Sequence, residues 1–538
     1  MGENGSARAF VGTPRPPETN PPMTWQPEVD ELRRRQALAA RMGGPEKVRR
    51  QKDGGKLTVR ERIDALLDPG SFHEIGSVSG KAAYDDDGRL IDFSASNTIV
   101  GRGRIDGRTI VLQGDDFTVR GGAAEASIWA KSALAEQMAY ELRLPIVRLV
   151  DGTGGGGSVR SLEMDQRTYV SQMPGWQYAT QNMGQVPVVG LALGSVAGLG
   201  AARVAASHYS LIVKDTAQMF IAGPPVVARV GPKMDKNELG GSQIHARNGA
   251  VDDEVESEAE AFARTRRFLS YLPTSVYELP PRGAREDDPN RREEWLIEAI
   301  PRDRRKVYNA RRIIDAVIDR GSFLEIGKLY GRSVITGLAR LDGWPVALLG
   351  SDPHHYGGAW TADGAIKATR LVDLAQTFHL PLVQLTDIPG FLIGPDAEKT
   401  ATIRRGVTAL AAVHQATVPM CSIIVRKAFG VAGAVQTNDR KLHYRYAWPS
   451  GDWGSLPLEG GVEAAYRAEL DQAPDRAKRL AEITAHLEQY KSPFRTAEAF
   501  LIEEIVDPRD TRALLCEFAN LAAPLRTPGP TTSFYMRP

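Results

Sequence analysis

The chain has 538 residues, which at roughly 150 residues per domain is enough for several domains with large buried cores. Its 67 Lys and Arg against 66 Asp and Glu leave a formal charge of +1, so no overall field draws it to nucleic acid or an anionic membrane, and any anionic partner must be met by local groups. With 42% hydrophobic and 25% charged residues it is neither disordered nor membrane-embedded in composition, and two cysteines, Cys421 and Cys516, supply neither a disulfide framework nor a four-thiolate zinc site.

Residues 1–27 read as a disordered tail, because prolines from Pro14 to Pro27 keep the backbone extended and little there is apolar. The tail lacks the apolar run of a secretory signal, and Glu3 and Glu18 do not suit a transit peptide, so a reducing, cytoplasmic location is expected. The spacing of Val29, Leu32, Leu38 and Ala39 predicts a helix over 28–41, stopped by Gly43, Gly44 and Pro45. A second helix carrying Lys47, Arg49, Arg50 and Lys52 follows. Between Glu28 and Arg62 stand eleven Lys or Arg and six acids, a basic patch open to two readings: a solvated helix face or a phosphate contact.

Further along, buried strands are predicted at Pro145–Val150, Val186–Leu193, Tyr209–Val213 and Met219–Ile221, with helices at Trp129–Leu142 and Arg167–Asn182. The apolar stretch 186–202 is broken by Pro187 and by Gly190, Gly194, Gly198 and Gly200, which suits strand and turn rather than a membrane helix. The alternation is that of an α/β protein with strands covered on both faces. Pro280-Pro281, Gly283 and Glu286-Asp287-Asp288-Pro289 mark 273–304 as a linker.

Internal repetition sets the architecture. Asp68-Pro-Gly-Ser-Phe-His-Glu-Ile-Gly76 returns as Asp319-Arg-Gly-Ser-Phe-Leu-Glu-Ile-Gly327, a shift of 251. At a shift of 236, Arg104-Ile-Asp-Gly107 matches Arg340-Leu-Asp-Gly343, Gly121-Gly122 matches Gly357-Gly358, Lys131 matches Lys367, and Asp151 matches Asp387. At 232, the Gly-rich run 194–201 falls on 426–433. The chain therefore reads as two tandem copies of one α/β domain, 28–272 and 305–525, with a second tail at 526–538.

Gly194-Ser-Val-Ala-Gly-Leu-Gly-Ala201 follows a predicted strand and precedes a helix expected to start near Ala201. Backbone amides at such a turn lack intrahelical acceptors and face developing negative charge favourably. Its counterpart is Arg426-Lys-Ala-Phe-Gly-Val-Ala-Gly-Ala434, so duplication implies two anion-stabilising turns. Neither turn has the spacing of a phosphate loop or a dinucleotide fingerprint. His354 and His355 lack a third ligand at suitable spacing, so no metal is expected.

Over about residues 28–525 the chain resembles the carboxyltransferase (β) subunits of biotin-dependent acyl-CoA carboxylases, in the propionyl-CoA carboxylase group. The resemblance rests on Gly55-Lys-Leu-Thr-Val-Arg-Glu-Arg-Ile63, Asp68 to Glu74, Phe220-Ile-Ala-Gly-Pro224, Glu238-Leu-Gly-Gly241, Asp387-Ile-Pro-Gly-Phe391, Arg426-Lys-Ala-Phe-Gly430, Tyr446-Ala-Trp-Pro449 and Asp507-Pro-Arg-Asp-Thr-Arg512. It implies a pair of crotonase-like spiral domains, usually in a hexameric core, with each active site formed across a dimer of opposed copies. It implies acyl-CoA on the first copy and carboxybiotin, carried by a biotin carboxylase and biotin carboxyl carrier partner, on the second. The family's amide donors fall on Gly198 and Leu199, and on Val431 and Ala432. The coenzyme A and biotin contacts fall on Arg120, Gly121, Gly122 and Ala123, on Gly154 and Gly155, and on Gly357, Gly358, Phe429 and Gly430.

The turns depart from the family in one respect: Leu199 and Val431 stand where relatives commonly carry glycine. A β-branched Val431 requires negative φ if its turn is to work. Ala434 replaces a family aspartate near the acyl pocket, and Trp453 stands in the run after Trp448-Pro449, which together point to an acyl group unlike propionyl. The same chemistry run backwards gives a transcarboxylase or acyl-CoA decarboxylase subunit, and a mainly structural β-like subunit is the non-enzymatic alternative.

Overall fold

The computed structural model describes residues 24–153, 162–163, 166–168, 170, 172–173, 175–438, 442 and 444–530. Most of the expected tail 1–27, the end of the second tail, and Gly154 and Gly155 lie outside the described residues. Two sheets of matching construction carry the chain. The first runs, in spatial order, through His73–Ile75, Thr98–Ile105, Arg108–Asp115, Ile146–Val150, Val188–Ala192, Tyr209–Val213 and Asp253–Val255. The second runs through Leu324–Glu325, Val334–Leu341, Trp344–Ser351, Leu382–Ile388, Met420–Phe429, Tyr444–Ala447 and Glu504–Ile505, with Asp452–Gly454 paired to the end of Met420–Phe429. In each sheet the first three strands are antiparallel and the rest parallel. The central parallel strands are buried along their whole length, as hydrophobic runs without alternation require.

The repeated motifs of the sequence touch one another in space. The two hairpins turn at Asp106-Gly107 and Asp342-Gly343, where φ is 49° and 79° in both copies, so a residue free to adopt positive φ is needed at the glycine. Asp68 accepts hydrogen bonds from the amides of Asp106 and Gly107 at 3.0 and 2.8 Å, and Asp319 accepts from Asp342 and Gly343 at the same distances. The buried Lys131 and Lys367 run past Gly76 and Gly327, where a Cβ would come within 3.3 and 3.2 Å of the lysine Cε. Their ammonium groups donate to the carbonyl oxygens of Gly76 and of Tyr330 and Val334. Arg60–Glu74 and Arg311–Glu325 are equivalent ion pairs. Two motifs at different sequence offsets are thus two sides of one contact.

Two sequence expectations change, while the first two helices keep close to theirs. The first helix is Gln26–Ala40 and the second Pro45–Asp53, with Gly44 at φ 92° between them, close to the expected bounds. Among the described residues, the helix expected over 167–182 appears only as Trp176–Asn182, and Gly175 in front of it is left-handed at φ 82°, which does not continue a right-handed helix. The segment 273–304 is strapped onto the second half rather than held in solvent: Arg285 pairs with Asp342 at 2.8 Å, Arg291 donates to the carbonyls of Ala316 and Ile318 at 3.0 and 2.9 Å, and Leu296 is buried among Tyr308, Ile313 and Val317. Its alternating arginines and acids find partners there, and its Leu296 supplies apolar area to bury.

The halves share one core. Leu149, Leu191, Tyr209 and Phe268 from the first and Trp360, Leu371 and Phe378 from the second belong to a single apolar cluster. Across the seam, Arg370 pairs with Asp252, Arg264 donates to the carbonyl of Glu325 at 3.0 Å, and His208 meets Phe378 edge-on at 4.9 Å. His208 Nε2 lies 2.8 Å from the carbonyl of Met183, while Nδ1 accepts from the amide of Val188 at 3.1 Å. That pairing fixes the neutral tautomer, since a proton on Nδ1 would face an N–H. Burial first, then Arg370 and Arg148, depress its pKa to about 4, against the hydrogen bond to Met183. The unfolded chain takes up the proton below about pH 6.5 and the folded chain only near 4, so stability is full above that window and falls through it as pH drops. Denaturant unfolding is expected to lose about 1.4 kcal/mol per pH unit from this group, and His208→Gln should flatten that part of the profile; an unchanged slope would contradict the assignment.

Among the described residues no helix is long and apolar enough to cross a membrane.

Candidate functional site

Each expected turn forms at the end of a short parallel strand pair. In the first half Ser195–Ala197 pairs with Gln218–Phe220, and in the second Lys427–Phe429 pairs with Asp452–Gly454. The chain then leaves the pair through a left-handed glycine, Gly198 at φ 57° or Gly430 at φ 61°, and enters a short helix, Leu199–Ala205 or Gly430–Gly433. The first helix starts at Leu199, two residues before the expected Ala201. Gly198, at ψ −118°, lies in a region that residues with a Cβ avoid. Val431 is not among the positive-φ residues; it lies inside the helix, so the left-handed step falls on Gly430 and a β-branched residue is accommodated after it.

The amides of the two turns are used differently. Gly198 N donates to the carbonyl of Phe220 at 3.0 Å, continuing the strand pair by one bond, and Gly200 N donates to Thr153 O at 2.9 Å. Of the expected pair Gly198 and Leu199, only Leu199 keeps an amide without an acceptor among the described residues. In the second half Val431 and Ala432 occupy the first turn of a helix, where no intrahelical acceptor exists, and both amides are without a partner among the described residues. Val431 is 54% exposed and Ala432 is buried, so the opening faces outward at Val431.

The Gly-Gly loops lie beside these turns in both copies. Arg120, Gly121 and Gly122 have φ of 56°, 62° and 69°, and Tyr356, Gly357 and Gly358 have 52°, 62° and 88°. A Cβ on Gly122 would come within 2.8 Å of the carbonyl of Asp151, and one on Gly358 within 2.5 Å of that of Asp387, so both loops need glycine for close approach to a strand end. Ala123 closes the first loop with its amide on Arg120 O at 3.2 Å. Arg120 is exposed. Phe429 is buried at the last position of its strand.

Under each loop sits a fully buried carboxylate that the repeat marked without revealing its partners. Asp151 is held by Lys56 at 3.1 Å and Arg62 at 3.0 Å, and Arg62 also clamps Glu258 through two nitrogens at 2.9 and 2.8 Å. Asp387 is held by Arg426 at 2.8 Å, by the hydroxyl of Tyr308 at 2.9 Å and by the amide of Lys427 at 3.1 Å. Burial first, then the neighbouring Arg426, hold the Lys427 ammonium below its ordinary pKa.

The basic patch has two parts. Arg34 and Arg35 pair with Glu31, Lys52 with Glu61, and Lys56, Arg60 and Arg62 with the acids already named. Arg41, Lys47, Arg49 and Arg50 are exposed and have no ion pair among the described residues. They are the part of the patch free to meet an anion. Trp453, expected at the acyl pocket, instead donates its indole N–H to Thr496 at 3.1 Å and packs in an apolar cluster with Ala497 and Ile505. Ala434 is exposed at the end of the second turn's helix.

Sequence reasoning missed one polar group beside the first turn. Gln113, Glu136, Arg148 and Arg203 gather between the sheet and the helices Trp129–Leu142 and Leu199–Ala205, all four nearly or wholly buried. The signal was present in Gln113 and Arg148, polar residues inside otherwise apolar strands.

Residues 50–531 match the family model described as the carboxyl transferase domain. The chain is 32% identical over 500 residues to the propionyl-CoA carboxylase carboxyltransferase subunit of Haloferax mediterranei, covering 91% of this chain and 95% of that protein. It is 28% identical over 508 residues to the methylmalonyl-CoA decarboxylase subunit alpha of Veillonella parvula, covering 93% and 97%. Among solved structures it superposes on the hexameric transcarboxylase 12S with methylmalonyl-coenzyme A and methylmalonic acid bound, at a TM-score of 0.85 and 27% identity, over 97% of this chain and 100% of that one.

Proposed function

The chain belongs to the carboxyl transferase family, and from that premise we propose that it moves a carboxyl group from carboxybiotin on a partner subunit to the carbon α to the thioester of an acyl-CoA. The two domains, 28–272 and 305–525, are taken as crotonase-like spirals, the first for acyl-CoA and the second for carboxybiotin. The observation that carries this reading is the pair of equivalent turns, each a left-handed glycine before a short helix with open amides. Carboxyl transfer develops charge on two oxygens, and two turns meet that requirement.

Carboxybiotin supplies the carboxyl group. Leu199 N would hold the thioester oxygen while the α carbon loses its proton to the biotin nitrogen that has given up the carboxyl group, and Val431 N and Ala432 N would hold the ureido oxygen. A preorganised donor of this kind contributes about 10²–10³ in rate. Gly198 acts by shaping the turn: its φ aims Leu199, and its own amide closes the strand pair. The second turn suits a flat neutral ring with a carbonyl, since Val431 offers an exposed apolar surface beside two open donors. The coenzyme end is assigned to Arg120, Gly121, Gly122 and Ala123, with Gly154 and Gly155 bordering the thioester, and to the unpaired Arg41, Lys47, Arg49 and Arg50 for phosphates. Gly357, Gly358, Phe429 and Gly430 are assigned to the biotin side.

Ile221 and Val230 are 99% and 90% exposed in the segment that follows the first turn's strand pair, and Ile393 is 87% exposed beyond the second Gly-Gly loop. Apolar residues left open near both turns favour a homo-oligomer in which opposed copies cover them, and a cytoplasmic location belongs to the same reading. The test is to purify the chain with its biotinylated partner and assay a panel of acyl-CoAs. Bicarbonate- and ATP-dependent carboxylation is the expected result. Activity that needs no ATP would favour the decarboxylase or transcarboxylase direction, and no activity with any thioester would overturn the proposal.

A further inference from the structure

Next to Leu199 a cavity of about 30 Å³ is lined by Gln113, Ser132, Glu136, Trp176, Leu199 and Arg203, among others. Its polar wall is incomplete in a specific way. Glu136 is saturated: Arg148 donates to both its oxygens at 2.7 and 2.9 Å, and Asn182 donates to it at 3.0 Å. Burial alone would raise the pKa of Glu136, but Arg148 outweighs it and the carboxyl lies below its ordinary value, hence ionised. The remaining nitrogen of Arg148 donates to the carbonyls of Arg203 and Ala206 at 2.9 and 2.6 Å.

Arg203 and Gln113 are not saturated. Arg203 reaches Asp115 through one nitrogen only, at 3.3 Å, while its Nε and Nη2 have no partner among the described residues. Both side-chain atoms of Gln113 are likewise unpartnered, and Gln113 is 0% exposed. Three donor atoms and one acceptor are therefore withdrawn from water beside a cavity with room for about one small polar group. Leaving such groups unpaired is costly, and a half-satisfied network is worse than an apolar wall.

We propose that this cavity receives the end of the acyl group and that the acyl group carries a neutral hydroxyl there. The inference rests on the acyl-CoA reading above and names the substrate class for the same site. A hydroxyl accepts from Arg203 and Gln113 Nε2 and donates to Gln113 Oε1, which meets the acceptor and two of the three donors. A methyl end leaves every one of them unpaired. A carboxylate end has no proton for Gln113 Oε1 and adds a charge to a set that is already balanced, Arg148 against Glu136 and Arg203 against Asp115. The cavity's size selects a short acyl chain. Leu199, which lines the cavity and also offers the open amide, ties this pocket to the reacting thioester by one residue.

The test is calorimetric binding of butyryl-CoA, 3-hydroxybutyryl-CoA, 4-hydroxybutyryl-CoA and succinyl-CoA to the full chain. One of the two hydroxyacyl esters is expected to bind at least tenfold more tightly than both butyryl-CoA and succinyl-CoA. In Gln113→Leu that preference should fall to less than twofold. Equal affinity for butyryl-CoA, tightest binding of succinyl-CoA, or a preference that survives Gln113→Leu would overturn the proposal and leave water as the occupant of the cavity. The wild-type comparison decides alone if the variant does not fold. Thioesters that bind without discrimination sink this inference only, whereas no binding of any of them sinks the acyl-CoA reading as well.

Discussion

Gly198→Pro is expected to lower carboxyl transfer at least a thousandfold while leaving the secondary structure and oligomeric mass of the protein intact. Three effects coincide at this position. Proline fixes φ near −65°, whereas the turn needs 57°. It also removes the N–H that donates to Phe220 O at 3.0 Å, so the strand pair Ser195–Ala197 with Gln218–Phe220 loses its closing bond. The third effect is functional: Leu199 follows directly, and its amide loses its aim. One displaced oxyanion donor accounts for about 10²–10³ in rate, and the disordered turn adds to it. Gly198 is exposed and no atom stands within 4 Å of a Cβ placed there, so the damage stays local. Gly198→Ala therefore separates strain from crowding and should give an intermediate loss. Steady-state turnover with far-UV circular dichroism and light scattering makes the measurement; a Gly198→Pro protein with full activity would remove this turn from the mechanism.

Arg62→Leu is expected to destabilise the folded protein by about 3–5 kcal/mol, the range found when one partner of a buried pair is deleted. Arg62 is 0% exposed and bonds Glu258 twice, Asp151 at 3.0 Å and the carbonyl of Leu193 at 3.0 Å. Its removal leaves Glu258 without its cation and Asp151 with Lys56 and the Gln51 amide, directly under the first Gly-Gly loop. Arg62→Lys should restore only part of the loss, because an ammonium cannot span both carboxylates in the planar fork that guanidinium provides. Equilibrium denaturation at neutral pH reads the effect, and a loss below 1 kcal/mol would mean that water or a neighbouring side chain takes over.

The second copy explains why such a network has no obvious sequence signature. At the shift of 251 that relates Asp68 to Asp319, Arg62 corresponds to Ile313, which is buried in apolar surroundings. The charge of Asp387 is met instead by Arg426, and at the shift of 232 Arg426 corresponds to Gly194. A Cβ on Gly194 would come within 2.0 Å of the Asp151 carboxylate, so the first copy has no room for a side chain where the second copy keeps its arginine. The two halves neutralise equivalent aspartates from opposite directions. The duplication preserved the carboxylate and exchanged the cation.

The sequence alone determined the duplication, the α/β class, the two turns and their glycines, because turn geometry is local: Asp-Gly at 106–107 and 342–343, and Gly at 198 and 430, are dictated by φ at single positions. Strand cores were legible for the same reason, as unbroken apolar runs. Only the tertiary structure decided that the amide of Gly198 is committed to Phe220 while those of Leu199, Val431 and Ala432 find no acceptor among the described residues, that 273–304 binds along the second half, and that Trp453 bonds Thr496. It alone brought Gln113, Glu136, Arg148 and Arg203, ninety residues apart in the chain from first to last, around one cavity. Hydrogen-bond partnership between distant segments is a property of their approach in space, and neither periodicity nor spacing along the chain encodes which donor is left without an acceptor.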